Sequence, residues 1–186
     1  MIIVGLDLSL TGTGIATIDT DRETANVETR TSKPVGDNIK DRAWRLRRFA
    51  SNLQDVCYDA DLVVIEAPSL GQKRQAGQHD RMGLWWLTID RLTYGLDGRV
   101  EVAEVTPASL KKFATGKGNA SKDEVLLSVA RRFPGVDVRS NDEADALVLA
   151  AMGARHLGHP IDSMPQAHLA AMDAVRWPDA GEGVES

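Results

Sequence analysis

The run Met1-Ile2-Ile3-Val4-Gly5-Leu6-Asp7-Leu8 passes through Ser9-Leu10-Thr11-Gly12-Thr13-Gly14 into Ile15-Ala16-Thr17-Ile18-Asp19. Aliphatic stretches on either side of a glycine-rich turn predict a β-hairpin at the start of the chain. Asp7 stands inside the first strand, between Leu6 and Leu8. An ionised carboxylate there costs on the order of several kcal/mol unless it is paired or holds a cation.

Working outward from the hairpin, residues 26–31 contain Val27 and two threonines and read as a third antiparallel strand. Residues 40–58 place Trp44, Leu46, Phe49, Leu53 and Val56 at near-helical spacing. Asp61-Leu62-Val63-Val64-Ile65-Glu66 is a short apolar run ending in a carboxylate, the pattern of a parallel strand buried on both faces. Residues 80–94 read as a helix, residues 100–105 as a further strand closed by Thr106-Pro107, and residues 108–113 as one or two helical turns. Ser121 and Ser140 each precede a helical stretch and are each followed three residues later by glutamate, the signature of a capping box. Those helices cover residues 125–133 and 144–157. Three antiparallel strands followed by strand and helix units predict an α/β fold. It has a mixed five-stranded sheet, antiparallel strands first and parallel strands after, flanked by helices on both faces.

With 186 residues, 42% of them hydrophobic, the chain builds one core and one domain, assigned to residues 1–157. Residues 158–186 hold three of the seven prolines and read as an acidic, poorly ordered C-terminal tail. The apolar runs at residues 1–10 and 146–152 are too short to span a membrane, and the first lacks the basic start of a signal peptide. A cytoplasmic protein is expected. The single Cys57 excludes an internal disulfide and has no second cysteine with which to share a zinc ion. The net charge of −5 argues against a nucleic-acid partner only at first sight. Residues 157–186 carry five acids against Arg176 alone, which leaves 22 acidic and 21 basic side chains in the rest. Positive charge is also local, on Arg42, Arg45, Arg47 and Arg48 and on Lys111, Lys112, Lys117 and Lys122, and local patches are what phosphates sense.

Four acids stand out. Taken singly, each reads two ways: Asp7 as a site acid or as a hydrogen-bonded aspartate beside the Thr11–Gly14 turn, and Glu66 as a strand-end ligand or a solvated glutamate. Asp142 and Asp145, three apart and hence on one helix face, read as a cation pair or as ordinary first-turn acids. Together they are more specific, because few folds bring together an acid inside the first strand, one at the end of a buried strand and two on a late helix. Oxygen-only donors suit Mg²⁺ or Mn²⁺. Two such ions about 4 Å apart activate water and stabilise the leaving 3′ oxygen in phosphodiester cleavage.

The motifs Gly5-Leu6-Asp7-Leu8-Ser9, Val64-Ile65-Glu66 and Asp142-Glu143-Ala144-Asp145-Ala146-Leu147 resemble those of the RuvC Holliday junction resolvases in order and spacing. The segment from Pro107 to Lys122 is similar to the family's basic segment, and the details resemble versions encoded by bacteriophages. The resemblance implies an RNase H-like fold and a homodimer that resolves four-way DNA junctions, in the host cytoplasm for a phage protein. Its implied metal-binding and catalytic carboxylates are Asp7, Glu66, Asp142 and Asp145, with Lys111 and Lys122 acting on DNA phosphates. Lys117, in Gly116-Lys117-Gly118-Asn119, reads either as a phosphate contact or as part of a solvated loop. Resolvases often carry an aromatic wedge three residues after the glutamate; here that position is Ser69, and Leu70 or the Lys73-Arg74 loop is the candidate substitute in binding DNA. Trp85-Trp86 reads as core or dimer interface, and the arginines of residues 42–48 as a solvated face or a phosphate patch. Two rival functions share the motifs: a broader nuclease acting on flaps or hybrids, and a non-catalytic module that binds branched DNA.

Overall fold

The computed structural model describes residues 1–68 and 77–178. Five strands form one sheet in the order β3-β2-β1-β4-β5. They are β1 (Ile2–Asp7), β2 (Thr13–Asp19), β3 (Thr24–Arg30), β4 (Leu62–Glu66) and β5 (Glu101–Val105). β1, β2 and β3 pair antiparallel, and β4 and β5 continue the sheet in parallel with β1. The mixed sheet expected from the sequence is thus present.

Helices cover both faces, and strand alternation decides which side chains each receives. Ile3, Ile18, Leu62 and Val64 face a layer built from α3 (Pro107–Thr115), α4 (Lys122–Arg132) and α5 (Asn141–His156). Val4, Leu6, Val63 and Ile65 face the opposite layer, α1 (Ile39–Val56) and α2 (Gln78–Thr93), through Phe49, Leu53, Leu84 and Leu92. Helix α5 is apolar nearly all round because it is central: Ala144 and the run Ala146–Met152 have no exposed surface.

The helix starts are built largely as their sequences indicate. At Ser121 the capping box is complete, with Ser121 accepting from the Glu124 N–H and the Glu124 carboxylate accepting from the Ser121 N–H. At Ser140 only half forms. Ser140 accepts from the Glu143 N–H, but the buried Glu143 carboxylate accepts from the Arg139 N–H at 2.7 Å and from Thr29 Oγ1 at 3.0 Å, tying α5 to β3.

The segment after Gly158 differs from its reading as a loose tail. As far as residue 178 it packs back on the fold, with a short helix, α6 (Gln166–Leu169), and with Ala171 and Val175 buried. Arg176 makes an isolated antiparallel backbone β-bridge with Glu104 at the β5 edge, and Trp177 stacks on His156 at 4.6 Å. The reason is a buried charge cluster that composition hides. Asp162, with no side-chain exposure, is paired with Arg155 at 2.6 Å and Arg132 at 3.5 Å. Among the described residues no helix is long and apolar enough to cross a membrane.

Candidate active site

On β1, Ile3, Gly5 and Asp7 point to one face; on β4, Leu62, Val64 and Glu66 do the same. The two strands are in step through Ile3↔Leu62 and Gly5↔Val64. That register, carried two residues further, sets Asp7 beside Glu66 at the carboxyl ends of two parallel strands, where ligands of α/β sheets gather. The two carboxyl groups are close enough to act on each other: Glu66 raises the Asp7 carboxyl, while Asp7 draws Glu66 downward.

Helix α5 brings the other two acids. It lies so close on β1 and β2 that a Cβ on Gly5 would stand 2.1 Å from the Ala146 carbonyl oxygen. Only glycine permits that approach. Asp142 and Asp145, on one face of the first turns, therefore line the same cleft as Asp7 and Glu66. Asp145 is buried, whereas Asp142 keeps a third of its side chain in solvent. The cleft has a volume of about 310 Å³, and its other polar walls include Ser9, Arg81, Lys111 and Lys122.

Crowding and burial make negative charge costly here. The Asp7 carboxyl is pushed well above the usual range, first by burial and then by the charges of Glu66 and Asp142. Glu66 rises to about 7, first by burial and then through Asp145, against the opposing pull of Lys122 and Lys111. Asp145 also rises to about 7, by burial and then by Asp7. Lys122 Nζ stands 4.0 Å from Asp142 Oδ1.

Among the described residues, no group of three or more His, Cys, Asp or Glu side chains is arranged closely enough to hold an ion. The acids line the walls without closing on one point, so side-chain rotation is required for joint ligation. Their chemistry nevertheless fits a hard divalent cation: an all-oxygen donor set whose negative charge is held at a cost that a cation would relieve.

The expected site residues divide clearly. Asp7, Glu66, Asp142, Asp145, Lys111 and Lys122 come together. Lys117 does not line the cleft; it is exposed and stands 3.9 Å from Glu124. Lys73 and Arg74 lie outside the described residues, as do Ser69 and Leu70. The tryptophan pair is split. Trp85 is buried against the cleft and donates its indole N–H to the Glu66 carbonyl at 3.0 Å, while Trp86 is exposed. Arg81 was not singled out in the sequence; its only signal is its position one turn before Trp85 on the same helix face.

The fold is similar to that of Thermus thermophilus RuvC, with a TM-score of 0.64 at 19% identity, covering 88% of this chain and all of that one. The same protein in complex with a Holliday junction substrate matches at a TM-score of 0.61, 18% identity and 88% and 99% coverage. The chain thus has the RNase H-like fold of the resolvases, with Asp7 and Glu66 at the carboxyl ends of two central strands and Asp142 and Asp145 at the start of α5. No family model matches it. The crossover junction endodeoxyribonuclease RuvC of Rickettsia massiliae (strain Mtu5) is 32% identical over 156 residues, 81% of this chain and 94% of the relative. That of Gluconobacter oxydans (strain 621H) is 40% identical over 65 residues, 35% of this chain and 38% of the relative. The chain belongs to the RuvC family of crossover junction endodeoxyribonucleases.

Proposed function

We propose that this protein is a structure-specific endonuclease that resolves four-way DNA junctions by hydrolysing phosphodiester bonds. The observation that carries the reading is the meeting of four carboxylates, from β1, β4 and α5, in one cleft where burial and mutual repulsion disfavour the charge of Asp7, Glu66 and Asp145. Such a set is poorly suited to stand alone and well suited to bind cations, Mg²⁺ with Mn²⁺ as a substitute. Two bound ions would activate a water molecule and stabilise charge on the leaving 3′ oxygen.

The chain's own residues do the rest. Asp7 and Glu66, on neighbouring strands, form the rigid floor of the site. Asp142 and Asp145 supply the opposite wall from the start of α5. Lys111 and Lys122 offer point charges to the backbone phosphates on either side of the scissile bond, which position DNA without reading its sequence. Trp85 fixes the end of β4 through the Glu66 carbonyl and keeps one wall of the cleft apolar. A homodimer would present two such clefts to the two strands cut in a four-way junction. Exposed Trp86 on α2 and Tyr94 at its C-terminal cap supply apolar surface for that contact.

The test is Mg²⁺-dependent cleavage of end-labelled four-way junction, flap, linear duplex and RNA–DNA hybrid, with Asp7→Asn as control. Paired symmetric nicks in the junction, abolished in Asp7→Asn while junction binding persists, are the expected result. Faster cleavage of flap or hybrid would leave a nuclease but remove the resolvase. Equal cleavage by Asp7→Asn would remove the carboxylate mechanism.

A further inference from the structure

The outer face of α1 carries a second positive surface, away from the carboxylate cleft. Trp44, Arg47, Arg48 and Ser51 recur at intervals of three and four, so they form one stripe, with Trp44, Arg47 and Arg48 exposed and Ser51 half-buried. With Arg91 of α2 they line a groove of about 460 Å³. A second groove, of about 300 Å³, shares Trp44 and Arg48 and extends to Lys33 and Val35. Trp44 and Arg48 are therefore the ridge between two shallow channels.

Charge distinguishes this surface from an ordinary solvated helix face. Among the described residues, no carboxylate lines either groove. Among the described residues, none stands within ion-pair distance of Lys33, Arg47 or Arg48, although the chain as a whole is acidic. The other two arginines of the helix are used internally: Arg42 pairs with Asp80, and Arg45 donates to the Ser32 and Leu10 carbonyls. Arg48 lies over the Trp44 ring, 5.1 Å from its centroid, and the ring itself is half exposed. That stacking holds the guanidinium in place while leaving its donors to a partner. Cations without counter-charges beside an exposed aromatic ring suit a polyanion with flat rings, which is nucleic acid.

The surface also connects to the cleft. Ser9 lines the cleft, and the next residue, Leu10, accepts from the Ser32 N–H at 3.0 Å and from Arg45 at 3.3 Å. Ser32 and Lys33 then line the groove beside Trp44. Neighbouring residues thus link the cleft wall at Ser9, through Leu10, to Ser32 and Lys33 in the groove beside α1. We propose that this path seats a DNA arm leaving the cleft, with its phosphates on Arg47 and Arg48 and its sugar–base edge against Trp44. This assignment rests on the junction reading above and adds the route of the arm.

The prediction concerns arm length. α1 is about 27 Å long at 1.5 Å per residue, so an arm of two helical turns, about 68 Å, overruns it, while an arm of about half a turn ends short. Binding of the full chain to junctions with long arms, and with hairpin-closed short arms, is measured across a salt series without divalent ions. The proteins compared are wild type, Arg47→Ala/Arg48→Ala and Trp44→Ala. The double variant is expected to lose about tenfold in affinity for the long-armed junction and roughly two from its log–log salt slope. Its affinity for the short-armed junction and its cleavage rate at saturation should match wild type, and Trp44→Ala should show a smaller loss confined to long arms. Equal loss on both arm lengths, or none, would overturn the proposal. So would a change in sedimentation mass in the double variant, which would make this face a contact between copies of the chain. Wild-type protein that bound neither junction would overturn the junction reading and this surface with it.

Discussion

Gly14 lies beneath the first turn of α5 so closely that a Cβ on it would stand 1.9 Å from the carbonyl oxygen of Asp142. At the edge of the site, β2 and α5 therefore meet backbone against backbone, with no flexible side chain able to move aside. Gly14→Ala must push the helix start away from the sheet, taking Asp142 and Asp145 with it. A loss of about 2–3 kcal/mol is expected, and at about 2–4 °C per kcal/mol the melting temperature should fall by several degrees. Cleavage should fall further than the loss of folded protein explains. Gly135→Ala is the control, since nothing lies within 4 Å of the added methyl and its backbone is not left-handed. Equal melting of the two variants would show that α5 is not seated on β2 as tightly as its geometry indicates.

The raised carboxyl groups make stability depend on pH with a definite sign. Asp145 rises from 3.8 to about 7 and Glu66 from 4.5 to about 7. Each binds its proton more tightly in the folded chain than in the unfolded one. Their effect is a stability that is highest below about pH 4, declines as pH rises to about 7, and then levels off. For Asp145 the full change corresponds to at most about 4 kcal/mol. In chelator at about pH 8, Asp145→Asn should therefore melt higher than wild type, and the difference should vanish near pH 4. Mg²⁺ should raise the wild-type melting temperature at about pH 8 by more than that of Asp145→Asn. Thermal melts across pH, with and without Mg²⁺, check both statements. A wild-type stability that rose between about pH 4 and 7, with no gain in the variant, would contradict them.

What the sequence reveals here is what local rules govern. The hairpin around Ser9–Gly14, the buried strand ending in Glu66 and the serine caps of α4 and α5 are each written in a few consecutive residues, and all are present. The grouping of the four acids was legible only as a conjunction, because the step that sets Asp7 beside Glu66 is a strand register, which neither strand states alone. The split of Trp85 from Trp86 depends on the phase of α2 against the sheet, and adjacent residues point about 100° apart on a helix. Arg81 carries no distinguishing signal in the sequence, because an arginine in a first turn looks like any solvated charge. The packing of residues 158–178 was hidden for a related reason: Asp162 reads as one more tail acid until Arg132 and Arg155, from two other elements, are found around it.

The lysines of the basic segment should not behave alike. Lys122 faces Asp142 across the cleft, and Lys111 and Lys122 both oppose the upward shift of Glu66 and Asp145. Removing either takes away a phosphate contact and makes the acids harder to ionise. Lys111→Ala and Lys122→Ala should each slow cleavage at saturating enzyme by on the order of 10²-fold. Lys117→Ala, outside the cleft, should stay close to wild type in single-turnover rate. A loss with Lys117→Ala as large as with Lys122→Ala would mean that the DNA path covers the Gly116–Gly118 loop as well.

Asp162 gives the sharpest test of the C-terminal segment. Its carboxylate has no solvent exposure and is held between Arg155 of α5 and Arg132 of α4, while Arg132 also donates to the Ala114 carbonyl at the end of α3. One acid thus locks three helices of the α5 layer to the segment that follows them. Asp162→Ala leaves two largely buried guanidinium groups without a counter-charge, and breaking such a pair costs about 3–5 kcal/mol. At about 2–4 °C per kcal/mol, a fall in melting temperature of roughly 10 °C is expected. Truncation after Leu157 removes the same carboxylate together with Ala171, Val175 and the Trp177 stack on His156, and should destabilise more. Hydrogen exchange then distinguishes the cause. If the segment is integral, Asp162→Ala should speed exchange in α4 and α5 while β1 and β4 stay protected. Unchanged melting in the truncated chain would show instead that residues 1–157 are sufficient as a domain.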